Sequence, residues 1–347
     1  MPTEAIAESL RRFVSSTAGR APLYARLSAG VAEQPEVLAI LAAAPPRHRA
    51  SVGLFAAVHD LLLADPGQAL ADWYPNLTDR PRADDPVPAF VEFCRDHRDD
   101  LIALVSSRFP QTNEIGRSAL LLIGLADVAS RFGTLTHLDV GASAGLNLLI
   151  EHYGYDYSGQ RLGGDRLVLS CRVSGGPLPL PSAIPGFSTH QGLDADPIDL
   201  ADPAQVRWLE ACVWPDQTDR FQRLRTAVQL AREQGVQVWR GDAVTDLPAA
   251  LDRLGEDGHP VVTTSWVLTY LSDQQRADFV AALDRRGRRQ DLSWVYLESP
   301  AYAPGLPGPS TDPERTALTV VEWRAGERSA RRLATCHPHG YTLRWAE

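Results

Sequence analysis

The sequence contains no lysine, and all 34 of its basic residues are arginines. A chain without lysine amines cannot form a Schiff base, hold pyridoxal phosphate covalently or build the lysine-containing phosphate loop of many ATPases. Its four cysteines include no CxxC pair. This spacing argues against a disulfide framework or a structural zinc site, and it fits a reducing compartment.

Long apolar runs and excess positive charge are also missing. No segment reaches the roughly 18 apolar residues of a membrane span, and the first residues, MPTEAIAESLRRF, lack the apolar run of a signal peptide. The formal net charge of −9 argues against nucleic acid or an anionic membrane as a partner. We therefore expect a cytoplasmic protein whose 347 residues form about two domains.

Residues 1–130 are predicted to form an all-α cap or support domain. Apolar residues recur there at spacings of three and four, the pattern of helices that bury one face. Proline-rich segments such as APPRH and RPRADDPVP separate the helices. The helical segments are AIAESLRRFV, LYARLSAGVA, EVLAILAAA, ASVGLFAAVHDLLLA, AFVEFCRDHRDDLIALVSSRF and GRSALLLIGLADVASRF.

Residues 131–347 are predicted to form an α/β domain with a mostly parallel sheet. Short apolar strands alternate there with helices, beginning with the strand LTHLDV and the helix AGLNLLIEHY. The tail from ALTVVEWR onward alternates around a Gly-Glu turn, which predicts an antiparallel edge at its C-terminal end. A Gly/Pro-rich piece at about 155–185 fits no α/β unit, so we expect an insertion that acts as a lid or substrate loop. The other strands are STHQGLDADP, VQVWRGDAV, HPVVTTSWVLTYL and DLSWVYLES, and a further helix is DQQRADFVAALDRR.

The segment HLDVGASAGLNLL is predicted to be a strand, a turn of small residues and the start of a helix. Its small residues allow the backbone to come close to a ligand, and the first amides of the helix could bind a carboxylate or phosphate. The same residues also suit a turn that merely packs tightly. The candidate ligand-binding residues of this loop are Asp139, Gly141, Ser143 and Gly145.

Further polar residues follow the predicted strands in order. Asp194 ends one strand in GLDADP, Asp242 follows the next in RGDAV, and Ser265 ends a third in VVTTSW. Ligands of open parallel sheets bind at these carboxyl ends, where a carboxylate can accept the hydroxyls of a ribose. Any one aspartate could instead be a helix cap or a turn residue. The ordered set favours a nucleotide site.

The ordered run LDVGASAG, GLDADP, RGDAVTDLP and VVTTSWVLTYLSD resembles the motifs of class I S-adenosylmethionine-dependent methyltransferases. Nearly the whole chain is similar to an uncharacterised bacterial family of methyltransferase-like proteins with a helical N-terminal half. The segments QTNEIGRSALL, GASAGLNLL, LEACVWPDQ and CHPHGYTLRW carry this resemblance. It implies a Rossmann-like α/β fold, with an all-α domain before it, and S-adenosylmethionine as the cofactor.

The resemblance also implies a role for individual residues. Gly141 and Gly145 would line the methionine end of the cofactor, Asp194 would bind the ribose, and Asp242 would bind the adenine. Two positions depart from the methyltransferase pattern. Ser143 replaces the middle glycine of the loop, and Asp194 lies 53 residues after Gly141 instead of within about twenty. Asp156 in YGYDYSG is therefore an alternative ribose ligand.

Four residues are candidates for the chemical step, which requires alignment of a nucleophile and in some reactions a base. Glu298 and Tyr270 are expected to overhang the carboxyl edge of the sheet, although they could be a solvated loop carboxylate and a packed aromatic. His190 precedes GLDADP and could act as a base or as a turn donor. Glu114 lies in a polar cluster before an apolar helix, where it could instead favour the helix dipole.

Substrate binding is expected from the polar cluster QTNEIGR and from residues near the predicted sheet edge. A helix cap at Asn113 or Thr112 explains part of this cluster equally well, and a proline-fixed turn is the alternative for VWPDQ. The candidate substrate-binding residues are Asn113, Arg117, Asn147, Trp214, Asp216 and Trp266.

A metal site and a serine hydrolase are both disfavoured. Cys336, His337 and His339 in CHPH provide too few close ligands, and no acid cluster follows them in the sequence. The serines of TTSW and GASAG lack the GxSxG turn of serine hydrolases.

The sequence favours a methyltransferase that acts on a small molecule. Secondary metabolism is the expected context, and an anionic or carrier-protein-bound compound is the expected substrate. The first alternative is an enzyme on the same scaffold that catalyses an intramolecular displacement without S-adenosylmethionine. Closure of a nitrogen ring with loss of sulfate or phosphate in natural-product biosynthesis is an example. The second alternative is a non-catalytic scaffold that binds a partner protein.

Overall fold

The computed structural model describes residues 2–17, 19–255, 257–303 and 316–346. The chain divides into two compact units. The helical unit comprises the residues up to Thr112 together with Asp199–Arg225, and the sheet unit comprises Asn113–Ile198 and the residues from Thr226 onward. This division differs from the expected boundary at residue 130 in two ways: residues 113–130 belong with the sheet, and Asp199–Arg225 belongs with the N-terminal helices.

Helices occur in both units. The predicted N-terminal helices are confirmed with small changes at their ends, except that the segment AFVEFCRDHRDDLIALVSSRF, predicted as one helix, forms two, Val87–Asp96 and Arg98–Ser107. None of the described helices is both long enough and apolar enough to span a bilayer. The helices are α1 (Pro2–Thr17), α2 (Pro22–Val31), α3 (Pro35–Ala43), α4 (Ser51–Ala64), α5 (Val87–Asp96), α6 (Arg98–Ser107), α7 (Ser118–Phe132), α8 (Pro203–Ala211), α9 (Thr218–Gln234), α10 (Leu247–Asp252) and α11 (Asp273–Gly287).

The helical unit is held together by a core of aromatic and aliphatic side chains. The ring of Phe55 on α4 stacks on Tyr24 of α2, with centroids 4.7 Å apart, and meets Phe90 of α5 edge-on at 5.9 Å. All three side chains are buried. Such pairs add about 0.5–1.5 kcal/mol each beyond the burial of their surface, so this cluster fixes how α2, α4 and α5 pack.

The sheet unit contains a single eleven-stranded sheet within the described residues. Its strands lie in the order β3-β2-β4-β11-β10-β9-β8-β7-β1-β5-β6, and six of the ten neighbouring pairs are parallel. The strands are β1 (Leu135–Val140), β2 (Gly154–Tyr157), β3 (Gln160–Gly163), β4 (Val168–Gly175), β5 (Phe187–Asp194), β6 (Val238–Arg240), β7 (His259–Ser265), β8 (Leu292–Glu298), β9 (Thr316–Arg324), β10 (Glu327–Cys336) and β11 (Thr342–Trp345).

The prediction of a mixed α/β fold with a mostly parallel sheet is confirmed, and two of its details are wrong. The piece at 155–185 is not a lid, because strands β2, β3 and β4 occupy residues 154–175 and extend the sheet. The tail does not form an edge either. Its last strand, β11, pairs parallel with β4 and antiparallel with β10, so the tail strands lie inside the sheet.

The segment after β1 also differs from the prediction. It forms a short 3-10 helix, Leu146–His152, with a break at Leu149, instead of an α-helix. Its first residue follows a left-handed backbone position, and the amide of Leu146 donates to the Asn113 side chain at 3.0 Å. The expected anion site at a helix N-terminus is therefore absent from this described segment.

Candidate functional site

The loop after β1 turns through three left-handed residues. The φ angles are +78° at Gly141, +53° at Ser143 and +72° at Gly145. A Cβ on Gly141 would lie 2.4 Å from Cγ2 of Val267, so only glycine fits there. Ser143 is a non-glycine residue in the same region of backbone space, which is uncommon and occurs where the surroundings impose the conformation.

Asp194 ends β5 beside this loop and holds it. One oxygen of its carboxylate accepts the N–H of Ser143 and the other accepts the N–H of Asp196, both at 2.8 Å. Because β5 pairs directly with β1, the long intervening segment does not displace Asp194 from the loop. The alternative ligand Asp156 is ruled out, since it lies in β2 and accepts the N–H of Gly159.

Asp242 follows β6 at the same edge of the sheet. Its Oδ1 accepts the N–H groups of Val244 and Thr245, both at 2.9 Å. These hydrogen bonds lower the pKa of the Asp242 carboxyl below its ordinary value, with the Thr245 amide as the largest cause. Both amides donate to Oδ1, which is the geometry of a residue that stabilises a turn. Oδ2 can still accept a hydrogen bond from a ligand.

Asp139 lies near the end of β1 and is almost fully buried. Its Oδ1 accepts a hydrogen bond of 2.6 Å from the hydroxyl of Thr263 on β7. Burial raises the pKa of Asp139 to about 7, and the nearby Asp194 carboxylate acts in the same direction. A buried carboxyl group with a pKa near neutrality can both take up and release a proton at physiological pH.

Glu298 ends β8 and does not overhang the edge as expected, because its side chain is completely buried. Its carboxylate accepts the N–H of Val267 at 2.9 Å and that of Leu268 at 3.2 Å. Burial raises the pKa of Glu298 to about 7, against the effect of these two amides. Glu298 therefore holds the turn after β7 and is not a solvated loop carboxylate.

Arg117 links the two buried carboxyl groups electrostatically. Its guanidinium donates to the carbonyl of Ser265 at 2.9 Å and to the carbonyl of Pro338 at 3.0 Å. Its charge lowers the pKa of both Asp139 and Glu298, against the larger effect of burial. The cluster before α7 thus reaches the carboxyl edge of the sheet, as the sequence suggested.

The remaining residues of this cluster bind neighbouring loops. Asn113 does not cap α7, because its Oδ1 accepts the N–H of Leu146 in the segment after the glycine loop. Asn147 accepts a 2.8 Å hydrogen bond from the hydroxyl of Ser118, the first residue of α7. Both asparagines are buried, so they fasten the glycine loop to the start of α7.

In the folded protein Glu114 lies next to the segment CHPH, although no acidic residue is close to that segment in the sequence. Its Oε1 accepts the N–H of Gly116, and its Oε2 lies 3.1 Å from Nδ1 of His339. The amide of His339 in turn donates to Nδ1 of His337. Sequence spacing could not have found this pair, because 225 residues separate Glu114 from His339.

The family comparison covers almost the whole sequence. Residues 7–345 match a family described as "Uncharacterized protein conserved in bacteria (DUF2332)". The chain belongs to this family. The match confirms the resemblance to an uncharacterised bacterial family. Among curated proteins the sequence finds no match.

A solved structure is similar to the DUF2332 chain. It is the crystal structure of an S-adenosylmethionine-dependent methyltransferase from Clostridium acetobutylicum, with 10% sequence identity and a TM-score of 0.26. The similarity covers 70% of this chain and 79% of that chain. The functional assignment therefore depends on the residues of the DUF2332 chain itself.

Trp214 and Asp216, which are predicted to form part of the pocket wall, belong to the helical unit and make structural contacts there. The ring of Trp214 meets Phe13 edge-on, with centroids 5.6 Å apart. Asp216 accepts the backbone N–H of Leu23 in the first turn of α2. It supplies the cap that Ala21, the residue before the helix, cannot provide.

Trp266 and Tyr270 follow β7. Trp266 has a φ of +60°, and its indole donates to the hydroxyl of Thr316 at 3.0 Å. Tyr270 is 70% exposed at the end of a short 3-10 turn.

His190 is not at the carboxyl edge. It lies in the middle of β5, four residues before Asp194, which is about 13 Å along a strand. Its Nδ1 lies 3.0 Å from Nδ1 of His137 on β1. His137 and Thr263 were not among the site residues predicted from the sequence. Both lie in apolar strands, and a buried polar side chain needs a hydrogen-bond partner. Their positions alone therefore indicated that each is hydrogen-bonded inside the sheet.

Proposed function

We propose that this chain binds S-adenosylmethionine at the carboxyl edge of β1, β5 and β6 and methylates a small molecule. The observation that carries the proposal is the hydrogen bond between the Asp194 carboxylate and the amide of Ser143. It puts the predicted ribose carboxylate beside the left-handed glycine loop, although the two are far apart in sequence. Asp242 lies at the end of the next strand, where the adenine ligand is expected.

The donor set fits such a cofactor. Each oxygen of Asp194 accepts one backbone N–H, and a carboxylate oxygen can accept two hydrogen bonds, so two ribose hydroxyls can still donate to it. Gly141 has no side chain, so a ligand can come close to its backbone next to Val267. When bound, the cofactor would supply an electrophilic methyl group.

The protein side of the reaction is alignment and proton removal. Asp139 and Glu298 are buried carboxyl groups at this edge, and the pKa of each is raised to about 7. Of the two, Asp139 is the better proton acceptor for a substrate, since both oxygens of Glu298 accept backbone amides. The net charge of −9 favours a small substrate over nucleic acid.

Calorimetric titration with S-adenosylmethionine and S-adenosylhomocysteine tests the proposal. We expect micromolar binding of both, and a loss of more than tenfold, about 1.4 kcal/mol, in Asp194→Ala. Asp156→Ala is the matched control, because it removes a turn-forming aspartate far from the edge and should leave affinity unchanged. Absence of binding at millimolar ligand would overturn the proposal.

A displacement reaction without S-adenosylmethionine is the second candidate, and Ser143 favours it. This residue places a side chain at the middle position of the loop, and its amide already occupies one oxygen of Asp194. An enzyme of this kind would use Asp139 to take the proton of an attacking amine. It predicts no binding of either nucleoside and measurable binding of anionic small molecules in the same calorimeter.

A further inference from the structure

A continuous chain of hydrogen bonds runs from Asp139 through the sheet. The hydroxyl of Thr263 lies 2.6 Å from Oδ1 of Asp139 and 2.7 Å from Nε2 of His137. Nδ1 of His137 lies 3.0 Å from Nδ1 of His190. These residues belong to the neighbouring strands β7, β1 and β5, whose register pairs Thr263 with Asp139 and His137 with His190. Thr263 and His137 are fully buried.

At its other end, the series of hydrogen bonds reaches His190, which lines a cavity. Leu148, Glu151, His190 and Gln237 are among the residues that line this space of about 300 Å³. Nε2 of His190 is buried and makes no hydrogen bond within the described part of the chain. It lies 3.8 Å from Oε2 of the half-exposed Glu151, so a small rotation of that side chain brings the two into hydrogen-bonding distance.

We propose that Thr263, His137 and His190 form a proton path between the carboxyl group of Asp139 and the cavity beside Glu151. The path goes beyond the proposed function, since it requires neither a cofactor nor a substrate. Its support is that the hydrogen-bond pattern can be completed in two ways, which differ by one proton.

In the first arrangement Asp139 is ionised. The Thr263 hydroxyl then donates to Asp139, which leaves its oxygen to accept Nε2–H of His137. Nδ1 of His137 is bare and accepts Nδ1–H of His190, so Nε2 of His190 is bare as well. Both imidazoles are neutral.

In the second arrangement one proton has entered at Nε2 of His190. The Nδ1 proton of His190 has moved to Nδ1 of His137, the Nε2 proton of His137 has moved to the Thr263 oxygen, and the original Thr263 proton has moved to Asp139. Asp139 is now neutral and both imidazoles are neutral again. Nε2–H of His190 points to Glu151, which gives the orphaned nitrogen a partner.

The charges around the path favour neutral imidazoles and a shared proton. Burial lowers the pKa of His137 well below its ordinary value and also lowers that of His190, although Glu151 opposes the second effect. His152 also lies near His190 and lowers its pKa. Around Asp139, the Asp194 carboxylate favours the protonated form and Arg117 favours the ionised form. The low pKa values disfavour a stable imidazolium, so protons move through the path without leaving a charge in it.

Nitrogen-15 NMR of histidine-labelled, ligand-free protein across pH 5–9 tests this path, because it reports which ring nitrogen carries the proton. We expect His137 and His190 to change tautomer together, at one midpoint near the pKa of Asp139, and neither to become an imidazolium at that midpoint. His190→Gln and His137→Gln assign the resonances. Constant tautomers across this range would overturn the proposal.

Three substitutions and one internal control test whether the joint tautomer change depends on Asp139 and on the Thr263 hydroxyl. Asp139→Asn and Thr263→Val should each abolish the joint change, whereas Thr263→Ser keeps the hydroxyl and should restore it. His59 in the helical unit is the control, since its Nδ1 is bonded to the Ala211 carbonyl and its Nε2 to the Asn76 amide. A joint change that persists in Thr263→Val would also overturn the path. Because no ligand is added, failure here is distinct from failure of cofactor binding.

Discussion

The carboxylate of Asp194 accepts the backbone N–H of Ser143 across 2.8 Å, which joins the end of β5 to the loop after β1. The segments LDVGASAG and GLDADP, which the resemblance assigns to binding of S-adenosylmethionine, therefore lie next to each other. The hydrogen bond also gives a reason for the left-handed backbone of Ser143, since that conformation directs its amide at the carboxylate. The proposed ribose ligand is therefore also the residue that holds the loop.

The Asp242 carboxylate is expected to contribute to cofactor affinity. Asp242→Ala should weaken S-adenosylmethionine binding by more than tenfold, about 1.4 kcal/mol, because it removes the proposed acceptor for the adenine edge. Asp196→Ala serves as the control, since its side chain is exposed and ion-paired with Arg240 at the surface. Equal calorimetric affinity of folded Asp242→Ala and wild type would remove Asp242 from the site.

Gly141 should tolerate no side chain. Gly141→Ala imposes a left-handed alanine, at about 1–2 kcal/mol, and sets its Cβ 2.4 Å from Val267, which adds about 1–3 kcal/mol of overpacking. Gly235→Ala is the matched control, because its φ is also positive and its surroundings are open. Urea unfolding should show the larger loss of stability for Gly141→Ala, and equal losses would contradict the close contact with Val267.

Glu298 should make stability depend on pH. Its pKa in the folded state is about 7, above its ordinary value of 4.5. Between these values the folded protein keeps a proton that the unfolded chain releases, so the free energy of unfolding falls as pH rises. The stabilising contribution of Glu298 is fully present below pH 4.5 and is lost as the pH rises through 7. Over this range the free energy of unfolding falls by about 3 kcal/mol.

Urea titrations at several pH values measure that slope. Glu298→Gln should flatten it, and the part that remains should come from Asp139, whose pKa is raised in the same direction. Asp165→Asn, which alters a carboxylate whose side chain is 92% exposed, should leave the slope unchanged. A wild-type slope retained in Glu298→Gln would show that Glu298 titrates normally in the folded protein.

Asp216 is expected to affect stability and not the site. Asp216→Ala removes the acceptor for the Leu23 amide at the start of α2 and should cost about 1 kcal/mol, as lost helix caps do. Thermal unfolding measures the loss, and calorimetry should give an unchanged cofactor affinity. A tenfold loss of affinity in the folded variant would return Asp216 to the list of ligand-binding residues.

Local patterns predicted most of the secondary structure. The helices of the N-terminal half and the strands β1, β5, β7 and β8 follow from apolar periodicity, because each element buries a face of its own residues. Strand order and the path of the tail could not be read in this way. The strands β2 to β4 were missed because a Gly/Pro-rich composition hid pairings that the distant β11 completes.

The candidate site was predicted unevenly for a related reason. The positions of Asp194 and Asp242 at the sheet edge could be predicted, because Asp194 ends an apolar strand and Asp242 follows one. The burial of Glu298 could not, since its amide partners in the turn after β7 depend on the pairing of β7 with β8. The partnership of His137 with His190 depends in the same way on strand register, which the sequence does not reveal.

The position of β11 has a consequence for how this protein assembles during translation. Strand β11 is the only described strand that joins β4 to β10, so it closes the seam between the group β3-β2-β4 and the rest of the sheet. The ribosome makes β4 long before it makes β11. Until Thr342–Trp345 emerges, the edge of β4 is exposed as an open template for another chain. Loss or fraying of these four residues is therefore expected to expose the facing edges of β4 and β10 and to favour aggregation.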